Sequence, residues 1–244
     1  MNTPVSPDVL TGVPMPELGG SGWRRVASGL AVVCGAVLPG LGCGTASAQA
    51  PSDPSLNAQL LVGARQDDLA LVERALAQGA VPESRNRLGK TALLIAAEHG
   101  NLAMASALLK AGADVNTASL ERVTPLMAAS YQGASEVVKR LLAAGAKTDP
   151  IDRMNKPAVV YAAGQGHAAA LAALLAAGVD VNAVYEHQLS ALMWAAGQGH
   201  VDAVKLLLSR GARPELRDDR GLTAQDIARQ AGHPALVALL GANP

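Results

Sequence analysis

The sequence predicts an all-α protein, a solenoid of six stacked helix-turn-helix units with protruding loops, and three observations carry that expectation. Thr91, Thr124, Pro157, Ser190 and Thr223 recur at intervals of 33 residues. Two glycine series keep the same interval: Gly100, Gly133, Gly166, Gly199 and Gly232, and Gly79, Gly112, Gly145, Gly178 and Gly211. Half of the 244 residues are hydrophobic, yet aromatics make up 2% and Phe is absent, so Ala and Leu must supply the core, a choice that favours closely packed helices over strands.

Each unit reads in the same order. A Ser or Thr caps the first helix by accepting one of its free N–H groups, and an Ala-rich segment follows. The first glycine turns the chain, a longer segment runs to Leu-Leu, and the second glycine ends that helix in the left-handed conformation which costs glycine least. The units are 56–87, 88–120, 121–153, 154–186, 187–219 and 220–244. In the first, Asn57, Gln59, Arg65, Gln66 and Asp67 interrupt the apolar pattern; in the last, Gln225, Asp226 and Arg229 do so, as expected of ends that no neighbour covers. Pro157 stands where the other units carry a capping hydroxyl, so the loop Asp152–Lys156 is expected to be irregular.

With Thr124-Pro125-Leu126-Met127-Ala128-Ala129, Gly199-His200-Val201-Asp202-Ala203-Val204-Lys205-Leu206-Leu207-Leu208 and Gly112-Ala113-Asp114-Val115-Asn116 in view, the chain resembles ankyrin repeat proteins, of the exported bacterial type. It departs from the family's TPLH motif, because Leu94, Met127, Val160, Met193 and Asp226 occupy the histidine's place. The resemblance implies a non-catalytic module that binds another protein through its loop tips and the exposed face of its first helices. It also implies that the histidine after the first glycine bonds nearby backbone.

The first 48 residues are of another kind. Trp23-Arg24-Arg25 precedes an uncharged apolar stretch from Val26 to about Gly42, and Ala46-Ser47-Ala48 offers the small-x-small pattern of a signal peptidase site. The expectation is a signal peptide cleaved after Ala48, with Met15 as an alternative start, a linker at 49–55, and a periplasmic mature chain. A secreted chain, or one lipid-anchored at Cys43, are the alternatives. Arg24-Arg25 leaves Sec against twin-arginine export open. The stretch is broken by Gly35, Pro39, Gly40 and Gly42, whereas a membrane span needs about 20 apolar residues. Both cysteines, Cys34 and Cys43, fall in this segment, so the mature chain has no thiol for a disulfide, a zinc site or a nucleophile.

Lys+Arg and Asp+Glu balance at 20 each, which gives no net field to gather nucleic acid or an anionic membrane. No Gly-x-Ser-x-Gly, HExxH or GxxxxGK[ST] pattern occurs, so neither an enzyme nor a cofactor is expected. Successive helices pack about 8–10 Å apart. His167, His200 and His233, stepped one per unit, therefore cannot converge on a metal that needs ligands at about 2 Å, and they read as structural. Asp67-Asp68 and Asp218-Asp219 read as solvated pairs.

What remains is a surface for a partner protein, on a chain expected to be monomeric. By register the tips are Arg87-Leu88, Leu120-Glu121, Arg153-Met154, Glu186-His187 and Asp219-Arg220, with Lys90, Glu98, His99, Tyr131, Gln132, Lys156, Gln165 and Gln198 beside them. Arg87, Arg153, Tyr131 and Tyr185 are the preferred anchors, since aromatic and Arg residues dominate interface energy. Leu88, Leu120 and Met154 are expected to be exposed between charges. The series Ile95, Ala128, Tyr161, Trp194 and Ile227 is assigned to the core. The alternatives to a scaffold are a secreted effector or inhibitor of a host or competitor protein, and an accessory factor handling a ligand or cofactor for an enzyme.

Overall fold

Serine and threonine hydroxyls start five of the six first helices, four of them where the sequence places them. The computed structural model describes residues 55–242, which belong to a unit beginning at Ser55; the segment read as a signal peptide and linker lies outside the described residues, apart from Ser55 itself. Twelve α-helices are described, taken in consecutive pairs: α1 (Leu56–Gln66) and α2 (Leu69–Ala77), α3 (Ala92–His99) and α4 (Leu102–Lys110), α5 (Pro125–Gln132) and α6 (Ser135–Ala143), α7 (Ala158–Gly164) and α8 (Ala168–Ala176), α9 (Ala191–Gly197) and α10 (Val201–Ser209), α11 (Ala224–Gln230) and α12 (Pro234–Gly241). Thr91, Thr124, Ser190 and Thr223 each accept the backbone N–H three residues on. Pro157 takes the same extended conformation (φ −84°, ψ 172°) without a hydroxyl, so its fixed ring torsion replaces the cap in setting the chain direction.

The departures from TPLH have a local consequence. The sulfurs of Met127 and Met193 accept the N–H of Thr124 and Ser190 at 3.5 Å, and an Asp226 carboxylate oxygen accepts that of Thr223 at 3.1 Å. Three of the five substitutes thus close the first turn in their own way, the thioethers as weak acceptors.

Adjacent alanines let the first helices approach closely. Ala96, Ala97, Ala129, Ala162, Ala163, Ala195, Ala196 and Ala228 are fully buried, and the first helices pack on one another more extensively than the second helices do. The second helices contribute Leu108, Leu141, Leu174, Leu207 and Leu240, again at intervals of 33 and all buried. Removing each side chain from water is worth about 2 kcal/mol. At the first end the Asn57 side chain accepts the Val81 N–H (2.8 Å), and at the last Gln225 donates to the Val237 carbonyl (3.0 Å), so these polar substitutions are bonded as well as exposed in part.

Three expectations need correction. The loop Asp152–Lys156 is regular despite Pro157, and the irregular loop lies one unit on, at residues 185–189. Asp218 is not solvated: it is buried and holds Arg220 at 2.7 Å. Trp194 is only half-buried, with Lys156 over its ring, whereas Ile95, Ala128, Tyr161 and Ile227 are core.

Candidate partner-binding surface

Between units the chain forms five tips of common design. The first residue of each donates its N–H to the carbonyl of the fifth: Asn86 to Lys90, Ser119 to Val123, Asp152 to Lys156, Tyr185 to Leu189 and Asp218 to Leu222, at 2.9–3.3 Å. The fourth residue is left-handed, Gly89 (φ 72°), Arg122 (62°), Asn155 (53°), Gln188 (58°) or Gly221 (79°), which, except at 185–189, is the hairpin made by a type I turn and a bulge. Side chains at the first position complete it. One carboxamide or carboxylate oxygen of Asn86, Asp152 and Asp218 accepts two N–H groups from its own tip, and the Ser119 hydroxyl accepts one.

Neighbouring tips are tied edge to edge. Leu120 N–H donates to the Leu88 carbonyl (3.1 Å), Arg153 to Glu121 (3.2 Å) and Asp219 to His187 (3.1 Å). Among the described residues no such bond joins Met154 and Glu186; the Asn155 carboxamide reaches the Glu186 carboxylate at 3.4 Å instead. The cause lies in the fourth tip, where Tyr185 replaces the acceptor side chain. That tip winds into a short 3-10 turn with both His187 and Gln188 left-handed.

Of the residues read as contacts, Arg87, Glu121, Gln132, Arg153 and His187 are exposed, and Leu88 and Leu120 leave 60% and 59% of their surface in water. Gly89 explains their adjacency: a Cβ there would stand 2.9 Å from the Leu120 nitrogen. Met154 is half-buried, against expectation, and its N–H is bonded to Asp152 at 2.8 Å. Lys90 pairs with Glu98 at 2.7 Å, both largely sheltered, and His99 stands 3.8 Å from Asp67. Tyr131 is half-buried, edge-on to Tyr161 with ring centres 5.9 Å apart. Tyr185 is half-buried as well, and burial, with the Asp180 carboxylate, pushes its phenol pKa up.

Sequence reasoning placed Lys156 on the surface, and this is wrong. Its ammonium is buried 4.5 Å from the centre of the Trp194 ring, next to a buried Asp152 to which the Tyr161 hydroxyl donates. Burial lowers the Lys156 pKa, with the Asp152 and Glu186 carboxylates opposing. Burial and the bond to Asp152 raise that of Tyr161. The signal available was Tyr161 and Trp194 at one register, where the other units carry Ile or Ala.

The histidine column is a clamp. His167, His200 and His233 donate from Nε2 to the carbonyls of Tyr131, Gly164 and Gly197 in the preceding unit, at 3.0, 3.0 and 3.2 Å. Each ring lies over a glycine: a Cβ on Gly133 or Gly166 would fall 2.5 Å from it. Gly133 and Gly166 are thus required by a left-handed φ and by ring contact together. Among the described residues no three His, Cys, Asp or Glu side chains gather as a metal group, and no helix is long and apolar enough to cross a membrane.

Helix pairs at a fixed period, joined by bonded tips that project exposed side chains, define a helical repeat protein whose surface is built for binding a partner. The family model for ankyrin repeats (3 copies) matches residues 60–152 and 159–244, and the chain belongs to the ankyrin repeat family, whose repeats are generic protein–protein interaction modules. No curated protein matches the chain.

Proposed function

We propose that this chain is an exported, periplasmic scaffold that binds one partner protein through its tips and the exposed face of its first helices, and catalyses nothing. The observation that supports this most is the tied row of tips, in which backbone bonds hold Arg87, Leu88, Leu120, Glu121 and Arg153 exposed side by side. A surface ordered before encounter loses less side-chain and loop entropy on binding, so a modest patch suffices for useful affinity. Tyr131 extends it onto α5 with its half-buried ring.

The test is crosslinking in intact cells of the C-terminally tagged chain beside a variant carrying Arg87→Ala, Tyr131→Ala and Arg153→Ala. A dominant exported protein that is lost from the variant is the expected result. Cytosolic proteins captured equally by both forms would remove the proposal, and cell fractionation separates the periplasm from the medium.

A further inference from the structure

The charge on the row of tips is uneven. The first three tips carry Arg87, Arg122 and Arg153 against one exposed acid, Glu121, although the whole chain balances 20 basic against 20 acidic residues. Arg153 meets Glu121 at 3.4 Å with both side chains more than half exposed, while among the described residues Arg87 and Arg122 have no ion-pair partner. Between these cations lie Leu88 and Leu120, the two most exposed large apolar side chains among the described residues, brought side by side by the bond between their backbones. The last two tips differ: Asp219 is engaged by His187 at 2.9 Å, Arg220 by buried Asp218, and Glu186 adds an acid.

Arg122 adds an independent sign. It occupies the left-handed position (φ 62°) that Gly89 and Gly221 fill in other tips, so a guanidinium is kept at a place where glycine is conformationally cheaper. Non-glycine residues held in this region carry a conformational cost and cluster at binding and switch sites.

We infer that the partner presents an acidic segment carrying apolar side chains, which lays its carboxylates on Arg87, Arg122 and Arg153 and its apolar groups on Leu88 and Leu120. Arginine suits this because its planar fork takes a carboxylate through two parallel hydrogen bonds. Two leucines with an acid, Glu121, set among the cations favour a peptide over an anionic lipid surface, which rewards unbroken positive charge and deeper apolar insertion. The inference rests on the partner-binding reading and names the chemistry of the partner.

The experiment is selection of a random peptide library, displayed on phage, against the immobilised full chain, beside Arg87→Gln/Arg122→Gln/Arg153→Gln and Leu88→Ser/Leu120→Ser variants shown by circular dichroism to keep their helices. Enriched peptides should pair acidic with apolar residues, bind at least about tenfold more weakly to either variant, and weaken as salt rises. Neutral or basic peptides, no enrichment over the arginine variant, or stronger sedimentation with phosphatidylglycerol than with phosphatidylcholine vesicles would each overturn the inference. A partner captured in cells through these tips by a neutral surface would sink the acidic segment and leave the scaffold reading standing; no captured partner would sink the scaffold reading itself.

Discussion

The tips at residues 119–123 and 185–189 stand two units apart in the same register, and they differ first at one residue. Ser119 offers a hydroxyl oxygen to the Val123 N–H, whereas Tyr185 offers its tip no acceptor. The tip at 119–123 keeps one left-handed residue and bonds to both neighbours through Leu120 N–H and the Glu121 carbonyl. The tip at 185–189 takes two left-handed residues in succession and gives no backbone bond to the tip before it. The row is held with a local side-chain acceptor at each of the other tips, and where this is missing the bond to the preceding tip is absent, while that to the following tip, from Asp219 N–H to the His187 carbonyl, is kept. A buried cluster joins the fourth and fifth units at that gap, where Lys156 reaches across to Trp194.

The largest effect is expected from making the third tip resemble the fourth. Asp152→Ala removes the acceptor for the Met154 and Lys156 N–H groups, the partner of the Tyr161 hydroxyl and the carboxylate nearest Lys156. A loss of about 3 kcal/mol in urea unfolding is expected, and a loss below about 1 kcal/mol would show that the tips do not depend on that acceptor. The same cluster sets an alkaline signature. Because the Tyr161 pKa is raised in the folded state, its contribution is complete below the ordinary tyrosine value and is lost as pH rises above it. Stability should fall there in the parent protein and less in Tyr161→Phe.

Next in size is the glycine under a clamp. Gly166→Ala meets both the left-handed cost (φ 74°) and the His200 ring at 2.5 Å, whereas Gly145→Ala (φ 88°) has no atom within 4 Å of the new carbon. About 2–3 kcal/mol is expected for the first and about 1 kcal/mol for the second; equal losses would mean that the ring swings aside freely. Arg122→Gly relieves the left-handed strain in the second tip and should stabilise the chain by about 1 kcal/mol, with Gln188→Gly doing the same in the fourth. Smallest of all is Ser130→Ala. The Ser130 hydroxyl is fully buried and without a hydrogen-bond partner among the described residues, in a helix position that neighbouring units fill with Ala97, Ala163 and Ala196, so its removal should be neutral or stabilising by up to about 1 kcal/mol in thermal unfolding.

What the sequence made legible was local and repeated. Thr91, Thr124, Ser190 and Thr223 act within three residues of themselves, and the left-handed glycines within one turn, so a period of 33 exposes them without knowledge of packing. The tips followed by the same count. Lys156 was misread because it shares its register with Lys90 as well as with apolar Val123, Leu189 and Leu222: the position is sheltered, and a charge there needed partners that lie elsewhere in the chain, Trp194 above all. The irregular loop was assigned to Pro157, which its fixed torsion makes harmless, whereas the substitution that matters, Tyr185 for Asn, Ser or Asp, concerns an acceptor whose role appears only once the tip is built.

The clamp has a consequence for how such a chain lengthens. A unit that carries the AAGQGH stretch brings both halves of the contact, a glycine with an open carbonyl before it and an imidazole to reach the unit upstream. Placed in tandem, a copied gene segment of this kind fits its own duplicate at once, with no second mutation to make the joint. The stretch stands at residues 162–167 and again at 195–200. Growth by duplication thus requires only that the copying begin and end in phase.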